Sequence, residues 1–142
     1  MTTKRFRQGD ILFYPYRWKH QPPAKVEYPK DRPACIALIL RNSFGEEVLT
    51  FLPVSDLPPV DIATAIELSS SELTAMGLSE MRLAFIHLSE ANVDDIGNSL
   101  TVSPKTRIIG RLPQSTLKRM LTLLRTQLVT KNIELIHRGR RG

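Results

Sequence analysis

Gly9-Asp10-Ile11-Leu12-Phe13 and Asp31-Arg32-Pro33-Ala34-Cys35-Ile36-Ala37-Leu38-Ile39-Leu40 are two apolar segments separated by a proline-rich basic stretch. The first reads as a strand over 10–14. The second holds an unbroken apolar run over 34–40, the pattern of a strand buried on both faces. Between them, 15–33 contains five prolines together with Arg17, Lys19, Lys25 and Lys30. A loop of this length in a small domain is a place to look for function. Arg32 stands where the loop becomes the second strand. Its permanent cation is tied to backbone stiffened by Pro33 and by the sheet, so it is well placed to hold a phosphate.

Working outward, 41–46 is a turn rich in Asn, Ser and Gly, and 47–54 is the next strand, which makes 34–54 an antiparallel hairpin. Pro53, Pro58 and Pro59 break regular structure around Ser55 and Asp56. A short strand is expected over 63–68. Ser69-Ser70-Ser71-Glu72 has the spacing of a capping box, and Gly77 can end the helix it opens. Further strands are expected over 82–88 and 106–109, with 92–103 polar and turn-rich. Pro113 opens the only long helix, where Leu117, Met120, Leu121, Leu124 and Leu128 form one apolar stripe. The fold class is mainly β (α+β): a small curled sheet or barrel with a short inserted helix and a C-terminal amphipathic helix. One domain is expected over 1–132, followed by a flexible basic tail over 133–142 that adds non-specific phosphate contacts.

The chain has 142 residues, 42% apolar and 24% charged, which suits one globular domain. It has no apolar run of membrane-span length and no signal-peptide pattern. Cys35 is the sole cysteine, so no internal disulfide is possible and a cytoplasmic location is the simplest expectation. Net charge is +6, distributed as +5 over 1–32, −8 over 33–102 and +9 over 103–142. Basic ends flanking an acidic middle can make one positive face for nucleic acid if the ends meet.

No metal-ligand spacing, Walker loop, dinucleotide fingerprint or nucleophile elbow is present, so no cofactor is expected. Polar residues at strand ends remain. Arg32 and Ser55 fall together at the open end of the hairpin. A metal-free ribonuclease needs a base for the 2′-hydroxyl, a cation for the charged phosphorus and a proton for the leaving oxygen. Arg32 suits the second task. Ser55 can hydrogen-bond a phosphate oxygen or the hydroxyl. His87 and Glu90 are both candidates for proton transfer, and the sequence does not choose between them.

These segments resemble the MazF/PemK family of toxin ribonucleases over residues 8 to 129. Gly9-Asp10-Ile11-Leu12 looks like the family's opening strand. Lys30-Asp31-Arg32-Pro33-Ala34-Cys35, Leu52-Pro53-Val54-Ser55 and Ser89-Glu90-Ala91-Asn92 are similar to segments of its PemK-like branch. Ile109-Gly110-Arg111-Leu112 and the following helix look like its C-terminal end. The resemblance implies an SH3-like barrel, a homodimer, metal-free cleavage of single-stranded RNA, and a cognate antitoxin that fills the RNA groove. It implies catalytic roles for Arg32 and, in a threonine's place, Ser55. Arg17, Lys19, Lys25, Lys30 and Asp56 are then expected to contact RNA. Lys25-Val26-Glu27-Tyr28-Pro29-Lys30 stands where the family carries a Gly- and Glu/Gln-containing run, which makes Glu27 a further candidate for proton transfer or support. The other reading of the same barrel is a binding module that holds RNA without cutting it or inhibits a protein target such as gyrase.

Overall fold

The computed structural model describes residues 6–19, 31–99, 102–103 and 105–138. Its centre is the expected hairpin. Strand β2 (Arg32–Arg41) runs antiparallel to β3 (Glu47–Ser55), with Ala34 opposite Pro53 and Arg41 opposite Glu47. β2 begins two residues before the apolar run because β1 (Asp10–Tyr14) lies alongside, bringing Tyr14 opposite Arg32 and Phe13 opposite Pro33. A bulge at Ala37 lets both Ala37 and Leu38 face the same side.

β3 serves two partners on its other edge. Residues 48–51 pair with β6 (Glu90–Asp95), and residues 54–55 pair with β5 (Phe85–His87). β4 (Ala65–Glu67) extends β5, and β7 (Gly110–Arg111) extends β1. The result is a mainly β, curled sheet forming a small α+β barrel.

The two faces of the sheet bury different chemistry. On one, Ile11, Cys35, Ala37, Leu52, Val54 and Ile86 pack under helix α2 (Gln114–Val129), through Met120 and Leu124, and under helix α1 (Ser70–Ala75), through Leu73. On the other, Leu12, Tyr14, Ala34, Ile36, Leu49 and Phe51 pack against Phe6, Tyr16 and Trp18. Tyr14 stacks on Phe51 with ring centroids 4.2 Å apart. Gly77 ends α1 at φ +76, and backbone at Ile109 sits where a Cβ would stand, so this position requires glycine.

Three expectations are corrected. The stretch over 92–103 is not simply turn-rich, because β6 occupies 90–95. The chain from 133 onward does not begin as a flexible tail: Glu134–His137 forms β8, parallel to β6. The stripe of α2 ends differently as well. Leu128 is exposed, and Gln127 turns inward instead, donating from Nε2 to the carbonyls of Leu88 and Asn132. The strand expected over 82–88 is observed at 85–87, whereas 106–109 forms no strand and the two-residue β7 follows it at 110–111.

Candidate functional site

Alternation along the strands puts three of the candidate residues on one face. In β2, Ala34 and Ile36 point into the aromatic core, and Arg32 lies two residues further out on that side. In β3, Leu49 and Phe51 point the same way, and Ser55 continues the series. Carried on by two residues, the Ala34–Pro53 register sets Arg32 opposite Ser55. Ser55 pairs on its other side with Phe85, and His87 follows two residues along β5. The ring of Trp18 meets His87 edge-on at 5.8 Å, and the Arg32 guanidinium lies 5.9 Å from the Trp18 centroid. Trp18 therefore bridges the cation and the imidazole.

Leu57 links Ser55 to His87. Its N–H donates to Ser55 Oγ at 3.0 Å, and its backbone acts to raise the His87 pKa. Nε2 of His87 is buried and has no hydrogen-bond partner among the described residues. Burial holds the His87 pKa below the usual histidine value, outweighing the Leu57 bond, which acts to raise it. The imidazole is thus neutral at pH 7. Arg32 is half-buried and makes no ion pair among the described residues. A cation, a hydroxyl and an unused base on neighbouring strands are the parts that phosphoryl transfer from a hydroxyl requires.

Glu90 lies elsewhere on this face. Its Oε1 accepts from Tyr16 Oη at 3.2 Å and from the Lys19 N–H at 2.9 Å, so it anchors the segment that carries Trp18. Asn92 accepts from the Arg17 N–H and donates to the Arg17 carbonyl, both at 2.8 Å. Asp94 accepts from Tyr14 Oη at 2.7 Å. These three buried polar residues explain why β6 reads as a loop: its inward positions answer backbone and hydroxyl groups instead of apolar side chains. Arg17 is half-buried and Lys19 exposed at the base of the loop, and Asp56 is exposed in the turn after β3. Lys25, Glu27 and Lys30 lie outside the described residues. Among the described residues, no three His, Cys, Asp or Glu side chains gather as a metal site. No described helix is long and apolar enough to cross a membrane.

No protein-family model and no curated protein matches the chain. Sequence reasoning missed Trp18 and the anchoring roles of Asn92 and of Arg138, which it took for a phosphate contact of the tail. A signal for the first two was present: Tyr14, Tyr16 and Trp18 alternate at period two, and so do Glu90, Asn92 and Asp94.

Proposed function

We propose that this protein is a toxin endoribonuclease of the MazF/PemK kind, one half of a type II toxin–antitoxin pair, which cuts single-stranded RNA without a metal ion. The observation that supports it most is the grouping of Arg32, Ser55 and a neutral His87 on one face of β2, β3 and β5. In this reaction the 2′-oxygen bonds to phosphorus as its proton passes to a protein or solvent base. The bond from phosphorus to the 5′-oxygen breaks, and that oxygen takes a proton from water. Arg32 neutralises charge on the phosphorane oxygens. The Ser55 hydroxyl, which accepts from Leu57, still has its own proton to donate to a non-bridging oxygen. Replacing the 2′-hydroxyl at the cut site by hydrogen then blocks cleavage, and cutting of the deoxy-substituted strand contradicts the mechanism.

The partners that go with this reading are RNA, an antitoxin protein and a second copy of the chain, and the compartment is the cytoplasm. Light scattering gives a dimer mass at micromolar concentration if the homodimer forms, and a monomer mass counts against it. One observation favours a second reading. Ser55 is only 4% exposed, and its Oγ is already engaged in a turn. A barrel that binds RNA through Arg32 and Lys19 without cutting it, or one that inhibits a protein such as gyrase, needs no free hydroxyl. Tight RNA binding with no cleavage products supports the first of these.

A further inference from the structure

The segment that carries Trp18 leaves β1 through a tight turn at Pro15, where the Tyr16 N–H donates to the Tyr14 carbonyl at 2.7 Å, and no described strand pairs with it. Side chains take the place of the missing ladder. Arg138 donates from one guanidinium nitrogen to the Pro15 carbonyl at 2.5 Å and to Asn92 Oδ1 at 3.1 Å. Asn92 holds both backbone groups of Arg17, and Glu90 holds the N–H of Lys19. The alternate residues Tyr14, Tyr16 and Trp18 are thereby turned into the aromatic core, where Tyr16 and Trp18 meet edge-on at 5.2 Å. Arg138 is itself held at both ends. Its backbone N–H donates to the Val93 carbonyl at 2.8 Å just after β8, and its guanidinium lies 5.4 Å from the Tyr14 ring centroid.

We propose that Arg138, acting through Asn92, is a positioning residue that fixes Trp18 against Arg32 and His87. The C-terminal strand is then part of the site's scaffold. Pro15, Arg17 and Lys19 are each held through the backbone by a side chain of β6 or by Arg138, and Arg138 joins the first two. An arginine does this where a lysine cannot fully, because its planar guanidinium aims both N–H bonds of one nitrogen while facing the Tyr14 ring. The catalytic consequence rests on the ribonuclease reading above, whereas the position of Trp18 does not.

Trp18 is the only tryptophan of the chain, so its fluorescence reports this position alone. In the full-length protein without RNA, Arg138→Ala and Asn92→Ala are expected to shift its emission to the red and raise quenching by acrylamide. Arg138→Lys restores much of the wild-type signal, since an ammonium still reaches Pro15. If the Ala variants do not fold, Arg138→Gln reads the same displacement. On RNA, kcat falls on the order of a hundredfold, as for a displaced reacting group, while KM changes little. Unmoved emission and quenching in folded Arg138→Ala and Asn92→Ala overturn the inference. So does weaker RNA binding with a shallower salt dependence and an unmoved Trp18, which instead marks Arg138 as a direct phosphate contact. Displacement of Trp18 in a protein whose wild type cuts no RNA leaves the inference standing and removes the ribonuclease reading.

Discussion

His87 carries a cost that Cys35, buried on the opposite face of the sheet, does not. Cys35 is fully buried among apolar neighbours, and burial pushes its thiol pKa up, so it stays protonated and inert. His87 also stays neutral, but its Nε2 has no hydrogen-bond partner among the described residues. Such a group costs the fold stability, a cost tolerated where the group serves a function. Its lowered pKa gives a signed expectation. In the unfolded chain the ring takes a proton near its ordinary value of 6.5, while the folded protein resists protonation until a lower pH. Below 6.5 the unfolded state therefore binds the extra proton, and stability falls as pH falls until the folded value is passed. Above 6.5 His87 contributes no slope. Urea midpoints measured from neutral pH down to about pH 5 should fall more steeply for wild type than for His87→Phe, and parallel curves would contradict this. Ser55→Ala leaves the Leu57 N–H without its acceptor and is expected to cost about 1 kcal/mol, whereas Ser55→Thr keeps the acceptor and both folds and cuts. A Thr variant less active than the Ala variant would reduce Ser55 to a turn residue.

Among the elements, those whose logic is local were legible in the sequence. The hairpin follows from an apolar run, a turn and a second run. The capping box is present with both arms: Ser69 Oγ accepts from the Glu72 N–H at 3.2 Å, and Glu72 accepts from the Ser69 N–H at 2.8 Å. Glu72 also binds Thr116 and Arg119 of α2. Burial acts to raise its pKa, but these hydrogen bonds and the Arg119 charge hold it below the usual value. Ser69→Ala should therefore lower stability by about 1 kcal/mol in urea unfolding, and an unchanged midpoint would mean that α1 is held by its packing alone. β6 and β8 were not legible, because their partners are remote. The Asn92–Arg17 bonds span 75 positions and the Arg138–Pro15 bond spans 123, so no window of local sequence contains both members. A polar alternation reads as loop until its partner strand is known. Arg32 and Ser55 were legible as neighbours at one end of the hairpin because the register can be counted from its turn, and the observed ladder reaches Ala34 and Pro53 on the way to them.

At the scale of the molecule, the sheet divides labour between its faces. The helix-covered face is aliphatic, and the opposite face is aromatic with a buried polar row. The two basic ends of the chain do meet: β1 pairs with β7, and Arg138 docks on the segment that carries Arg17 and Lys19. The meeting puts Lys19 and the half-buried Arg17 and Arg32 around one end of the aromatic face, while Arg138 is used internally. The central claim is that Arg32 stabilises the transition state of metal-free RNA cleavage at that end. It is tested most directly by incubating the wild type and Arg32→Ala with single-stranded RNA in excess chelator, after circular dichroism and thermal melting have established that both are folded. The account predicts cleavage by the wild type and a rate lower by about a hundredfold or more in the variant. Equal rates for the two folded proteins, or no cleavage by the wild type, would contradict it.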